Sequence, residues 1–80
     1  MIIYANGKYI PHKKLTFDLS DRGLLLGDGI FDTMLYQEKL IYYNDHYKRL
    51  NSAAKLLSFN FNLTNEQLKK IINNLIKKNN

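Results

Sequence analysis

Arg49 is the residue of this 80-residue chain whose type and setting best suit the binding of an anion. It lies in residues 46–55, where apolar side chains recur at helical spacing, and it is next to Leu50 of the apolar stripe. An arginine near an apolar surface needs a negative partner, because an unpaired buried charge is costly. Its planar guanidinium suits a phosphate or a carboxylate. The residues alone leave two roles open: a salt bridge with a carboxylate, or contact with the anion of a ligand.

Phe31 is the second candidate, and it follows two closely spaced glycines, Gly27 and Gly29. Taken alone, a phenylalanine in a strand-like run is expected in the core. The glycines lead into a strand and not into a helix, so the helix-dipole argument for phosphate binding fails, and we interpret them as conformational. Asp28 and Asp32 would lie about 13 Å apart on an extended chain. This distance is too great for them to share a proton, so paired acid–base catalysis is not predicted.

The other polar residues of note are assigned structural roles. Asp21 is expected to cap the turn that follows it, and Arg22 to tie down that loop. His12 is expected to be an exposed loop residue, and His46, at the start of a helix, to pack or to cap. The sequence has no cysteine, no zinc-ligand spacing and no Gly-x-Ser-x-Gly motif. We therefore predict no metal site.

Charge and composition narrow the class of protein. The chain carries 12 basic and 7 acidic residues, a net charge of +5, and 45% of its residues are hydrophobic. Lysines account for the positive charge near the C-terminus and fall on the polar face of one helix without aromatic or arginine neighbours, which indicates a solvated surface and not a nucleic-acid interface. No apolar run approaches the roughly 20 residues that span a bilayer. These features predict a cytoplasmic protein that binds neither nucleic acid nor membrane.

The first half of the chain is predicted to form two pairs of strands. Residues 2–5 and 8–10 flank Asn6-Gly7, the preferred pair for a type I′ hairpin turn. After a polar connection, residues 22–26 are predicted to form one helical or 3₁₀ turn. Residues 30–36 then alternate like a strand that is covered on both faces, and residues 40–43 return as its antiparallel partner.

Two amphipathic helices follow the strands. The first is expected to begin at a cap formed by Asn44 or Asp45. The second is expected to begin at Thr64, which forms a capping box with Gln67, and to carry a regular apolar stripe. The order predicts an α+β fold: a small antiparallel sheet, made of the N-terminal hairpin and the second strand pair, with two helices packed on one side. Residues 1–80 are expected to form one small domain.

Two sequence blocks carry a resemblance to a known family. Residues 21–34, DRGLLLGDGIFDTM, and residues 46–55, HYKRLNSAAK, together resemble the N-terminal domain of the class IV aminotransferases. These are the fold-type IV pyridoxal-phosphate (PLP) enzymes, which include branched-chain and D-amino-acid aminotransferases and aminodeoxychorismate lyase. The N-terminal hairpin is compatible with the family as well.

The resemblance implies roles for the two candidate residues. Arg49, in the setting His-x-x-Arg-Leu, would contact the PLP phosphate in an intact enzyme. Phe31 would line the substrate pocket, where D-amino-acid aminotransferases have a tyrosine whose hydroxyl helps to hold the substrate carboxylate. Because phenylalanine cannot donate that hydrogen bond, the residue favours a branched-chain-like or lyase-like member.

The resemblance also implies what lies outside this sequence. The lysine that binds the cofactor in the family belongs to a larger second domain, which would follow Asn80, so no residue of this chain is predicted to be catalytic. Intact members are homodimers. We expect a truncated fragment of an aminotransferase, inactive alone, whose partner is the missing large domain or a second chain that supplies it. The alternatives are a fragment of an aminodeoxychorismate lyase-like enzyme, or a non-catalytic module that self-associates through exposed apolar residues (Leu24, Leu25, Leu26, Phe31 and Met34).

Overall fold

The computed structural model describes every residue except Arg22, Leu24, Leu25 and Asp28. The chain divides into two compact units, Met1–Asp28 with Glu66–Asn80, and Gly29–Asn65. The strands and α-helices are β1 (Ile2–Ala5), β2 (Lys8–Pro11), β3 (Tyr36–Gln37), β4 (Lys39–Leu40), α1 (Tyr43–Leu56) and α2 (Asn65–Lys78). The predicted α+β class is confirmed. The strands form two separate two-stranded sheets, β1–β2 and β3–β4. That both helices share one side of a sheet stays a prediction.

The hairpin of the first unit forms as predicted. β1 pairs with β2 in antiparallel register, with Tyr4 opposite Tyr9. Asn6 and Gly7, between the strands, have φ angles of 52° and 84°. Positive φ at both central residues is the requirement of a type I′ turn, and asparagine and glycine meet it at the lowest steric cost.

The last helix is tied to this hairpin within the same unit. All members of the predicted apolar stripe of α2 are half-buried (Leu68, Ile71, Ile72, Leu75 and Ile76), as are Asn65 and Asn74. Beyond the helix, the Asn79 side chain pairs with the backbone of Ile2: its Oδ1 accepts the Ile2 N–H at 2.7 Å, and its Nδ2 donates to the Ile2 carbonyl at 2.8 Å. The amide thus imitates a neighbouring strand at the outer edge of β1.

The short turn between the hairpin and the second unit is described in part. The Asp21 carboxylate accepts the Gly23 N–H at 2.8 Å, so the predicted cap is confirmed. The Gly27 N–H donates to the Gly23 carbonyl at 3.2 Å, the bond of one helical turn, and Gly27 has a φ of 67°. The roles expected of Arg22, Leu24, Leu25 and Asp28 lie outside the described residues.

The predicted strand over residues 30–36 is wrong. Only Tyr36–Gln37 forms a strand, and it pairs with Lys39–Leu40. Residues 30–35 have no strand partner among the described residues, and Phe31 and Leu35 are exposed, so the apolar alternation is not used to fill a two-sided core. The return strand, Lys39–Leu40, is also shorter than predicted, and a turn at Ile41 and Tyr42 leads directly into α1.

α1 organises the second unit. Tyr43 and Ala54 are the most buried of the described residues, at 5% and 1% exposure. The hydroxyl of Tyr43 donates to the Asn65 carbonyl at 2.6 Å, and that of Tyr47 donates to the Leu63 carbonyl at 2.7 Å. These bonds hold the segment after the helix against its side.

The start of α1 differs from the prediction. Neither Asn44 nor Asp45 is its N-cap. Tyr42 precedes the helix in a left-handed conformation and makes no side-chain capping bond. Across the described part of the chain, no helix is both long enough and apolar enough to cross a membrane.

The end of α1 is a Schellman motif with an unusual residue. The Phe59 N–H donates to the Ala54 carbonyl at 2.7 Å, and the Ser58 N–H donates to the Lys55 carbonyl at 3.1 Å. Ser58 has a φ of 59°, a left-handed conformation that glycine usually supplies at this position. A serine there carries the steric cost of its Cβ.

We predict that Ser58→Gly stabilises the chain by about 0.5–1 kcal/mol, because it removes that cost at the C′ position. The matched control is Ser52→Gly, in the middle of α1, which should destabilise by about 0.5 kcal/mol through loss of helix propensity. Urea unfolding followed by circular dichroism measures both. A loss of stability in Ser58→Gly would contradict the assigned helix end.

Candidate functional site

A surface pocket in the second unit brings the two predicted site residues together. Its volume is about 250 Å³. One wall is the segment before β3 and the other is one face of α1; the lining residues are Gly29, Ile30, Phe31, Asp32, Arg49, Leu50 and Ala53. Arg49 and Phe31 therefore line the same cavity, although they are far apart in sequence.

The spacing of residues along α1 determines which of its side chains face the pocket. Arg49 and Leu50 are followed one turn later by Ala53, so the three lie on adjacent positions of one face. His46 is one turn before Arg49 and shares its side of the helix. The apolar lining residues, called the floor of the pocket below, share the lining with Arg49, whereas His46 contacts the pocket through Asp32.

Asp32 connects the two walls. Its Oδ2 lies 2.9 Å from Nδ1 of His46, and its Oδ1 lies 3.4 Å from Nη1 of Arg49. The Thr33 N–H donates to the same Oδ1 at 2.8 Å. The side chains of Asp32 and His46 are 8% and 15% exposed, whereas that of Arg49 is 66% exposed. The carboxylate is thus shielded, and the guanidinium faces solvent.

The Asp32 carboxyl is ionised at neutral pH. The hydrogen bond from His46 lowers its pKa below the usual value, burial opposes this, and the Thr33 N–H together with the charges of His46 and Arg49 lowers the pKa further. An ionised carboxylate can only accept, so Nδ1 of His46 carries the proton of the shared bond. The cluster therefore has a fixed negative charge between two nitrogen donors.

Arg49 retains capacity for a further anion. Its contact with Asp32 is long for a hydrogen bond, and within the described residues Asp32 is its partner. The carboxylate salt bridge that the sequence left open is therefore present. Contact with a ligand anion, the other open role, stays a prediction that this geometry allows.

Phe31 does not belong to the core. Its side chain is 91% exposed, so the interpretation of this residue as core is wrong. It stands on the segment wall of the pocket, opposite α1. Its role as a substrate-pocket residue stays a prediction.

The sequence did not indicate the Asp32–His46 pair. The sequence pairs Asp32 only with Asp28, four residues before it, and predicts a packing or capping role for His46. The usable signal was the spacing of His46 and Arg49, since two basic side chains three residues apart on a helix can share one anionic partner. His12 is exposed as predicted; it lies in the 3₁₀ turn after β2, with Nδ1 3.2 Å from the Met1 carbonyl oxygen. Gly29 does not have a positive φ, and a Cβ there would meet no neighbouring atom, so nothing in the structure requires a glycine at this position.

Comparison with known proteins assigns the family. The model of the amino-transferase class IV family matches residues 29–80, more than half of the chain. The chain belongs to the class IV aminotransferase family. The matched residues include the whole pocket described above.

Similar curated proteins are aminotransferases. A D-alanine aminotransferase from Listeria monocytogenes is 30% identical over 81 aligned positions, which cover 100% of this chain and 28% of that protein. A putative branched-chain-amino-acid aminotransferase from Methanocaldococcus jannaschii is 32% identical over 81 positions, with the same coverage. A D-alanine aminotransferase from Staphylococcus epidermidis is 29% identical over 79 positions, which cover 98% of this chain and 28% of that protein. The chain thus spans little more than a quarter of these relatives. No solved structure matches it.

We predict that Asp32 contributes to stability above pH ~4 and loses this contribution as the pH falls through its lowered pKa. A group with a depressed pKa stabilises the fold only while it is ionised. At neutral pH, Asp32→Asn should therefore be less stable than the wild-type chain, and the difference should shrink on acidification. Urea unfolding at several pH values measures this. Glu38→Gln, in the exposed β3–β4 turn, is the control and should leave the pH dependence unchanged.

Proposed function

We propose that this chain forms the cofactor-phosphate side of a PLP-dependent aminotransferase. The observation that carries the proposal is the pocket in which the exposed guanidinium of Arg49 borders an apolar floor. The family is generally PLP-dependent, and PLP combines a phosphate with a flat aromatic ring. A planar cation beside apolar side chains suits both parts of that molecule.

The residues present fit the cofactor. Arg49 can donate charge-assisted hydrogen bonds to the phosphate oxygens. Ile30, Leu50 and Ala53 offer apolar surface to the ring, and Phe31 extends the same wall towards solvent. When bound, PLP supplies an electron sink for the substrate carbanion. This chain would hold and orient the cofactor and exclude water from one side of it.

The proposed reaction is transfer of an amino group between an amino acid and a 2-oxo acid. It would require a catalytic lysine from a larger domain, carried by the rest of the same polypeptide or by a second chain, and we propose that this domain is the partner. Phe31 lacks a hydroxyl, which favours substrates whose carboxylate is held elsewhere. An aminodeoxychorismate lyase-like reaction, which uses the same cofactor, is the alternative within the family.

A non-catalytic role is favoured by one separate observation. The second unit exposes large apolar side chains that its own core does not cover (Phe31, Leu35, Tyr42, Leu56 and Leu57). Large apolar side chains that are left uncovered are candidates for contact with another protein. Self-association or binding of a partner chain through some of these side chains is compatible with the enzymatic proposal and also with an interaction module.

We predict that the chain binds pyridoxine 5′-phosphate more tightly than pyridoxine, and that Arg49→Ala weakens binding of the phosphorylated form by about 10- to 100-fold. These ligands lack the aldehyde, so they cannot react with surface lysines. NMR titration of the backbone amides measures the affinity and locates the site. Lys48→Ala, the adjacent exposed cation on α1, removes the same charge and should change affinity by no more than about twofold, as expected for a screened surface charge.

Two results would contradict the proposal. Equal weakening by Arg49→Ala and Lys48→Ala would mean that the ligand responds only to net charge. Transamination by the isolated chain, with PLP, an amino acid and a 2-oxo acid, would show that no second domain is needed.

A further inference from the structure

The Asp32 carboxylate is fixed independently of Arg49. Its two short hydrogen bonds are made to the His46 imidazole and to the Thr33 N–H, at 2.9 Å and 2.8 Å. The side chain is 8% exposed, so water competes little for these bonds. Removal of the Arg49 side chain would leave both bonds in place.

Arg49, by contrast, is restrained by a single partner within the described residues, and that partner is Asp32. Its side chain is 66% exposed, and its contact to Asp32 Oδ1, at 3.4 Å, is the longest of the cluster. An arginine side chain has many rotamers, and a ligand that immobilises one must overcome that loss of entropy. A contact to an already fixed carboxylate narrows the rotamers beforehand and leaves most of the five donors for another anion.

We propose that Asp32 is a positioning residue for Arg49: it holds the guanidinium at the pocket, and His46 keeps the carboxylate in place. The proposal rests on the anion-binding role of Arg49 proposed above. It assigns Asp32 no contact with the ligand. The Asp32–His46 bond would then influence ligand affinity only through the arginine.

The alternative is that Asp32 is a simple counter-charge. In that case its removal should change the ligand affinity in the opposite direction. A carboxylate beside an anion site repels a phosphate, so removal of its charge should tighten binding, mainly at low salt. Loss of positioning should weaken binding even though the charge has become more favourable. The sign of the change therefore separates the two roles.

The test compares the affinity for pyridoxine 5′-phosphate of the wild-type chain, Asp32→Ala and Asp32→Asn. We expect Asp32→Ala to weaken binding about three- to tenfold, the loss expected when one side chain must be immobilised by the ligand, and to do so also at high salt. Asp32→Asn keeps an acceptor for Arg49 and should stay within about threefold of wild type. Asp45→Ala, an exposed carboxylate of the same helix, is the charge control and should change affinity less than about twofold.

A second measurement tests, in the absence of ligand, whether Asp32 positions the Arg49 side chain. In the free chain, ¹⁵N relaxation of the Arg49 Nε–Hε group should indicate an ordered side chain in wild type and a mobile one in Asp32→Ala. Equal mobility in the two would overturn the proposal, and so would tighter ligand binding in both Asp32 variants. If Asp32→Ala does not fold, as judged by amide dispersion, then Asp32→Asn decides: binding more than about threefold tighter than wild type identifies a counter-charge and overturns positioning.

The two proposals can fail separately. If the wild-type chain does not bind pyridoxine 5′-phosphate at Arg49, the phosphate role fails, and the relaxation of the free Arg49 side chain alone decides whether Asp32 positions it. In an Arg49→Ala background, Asp32→Ala should have no further effect on ligand affinity. A further loss there would mean that Asp32 acts through another group, and it would overturn the assignment.

Discussion

The hydrogen bond between Asp32 and His46 is the interaction on which the candidate site depends. It joins a segment without regular structure, residues 29–35, to the first turns of α1. That segment forms no β-ladder in the described chain. The Leu35 carbonyl at its end accepts the Ile41 N–H at 2.9 Å, and the side chain of Asp32 bonds its earlier part to α1. The position of Phe31 next to this aspartate, and hence one wall of the pocket, follows from the same bond.

A second constraint is the shortage of buried surface. Only two described residues are almost completely buried, Tyr43 and Ala54, and several large apolar side chains are exposed. A chain of this size can bury only a limited share of its surface, so polar bonds to the backbone matter more than in a larger domain. The tyrosine hydroxyls of α1 and the Asn79 amide serve this purpose, each within its own unit. A larger partner that covered the exposed apolar side chains would add the most buried apolar surface.

The sequence predicted features that depend on local chemistry. Asn6-Gly7 specified the hairpin turn, and the apolar stripe of α2 specified its buried side, because turn angles and helical periodicity are set by neighbouring residues. The strand over residues 30–36 was predicted wrongly, since alternation alone does not supply a partner strand. Within the site, the type and setting of Arg49 marked it as a candidate for anion binding, and the family resemblance gave Arg49 and Phe31 their specific roles. The role of Asp32 escaped prediction because it arises from a contact between distant parts of the chain.

A crystal structure of the chain with pyridoxine 5′-phosphate would show directly whether Arg49 binds the phosphate. We expect phosphate oxygens about 2.7–2.9 Å from the guanidinium nitrogens of Arg49, with the ring over the apolar floor of the pocket and Asp32 still bonded to His46. A phosphate bound elsewhere, for example on the lysine-rich face of α2, with Arg49 unoccupied, would contradict this expectation.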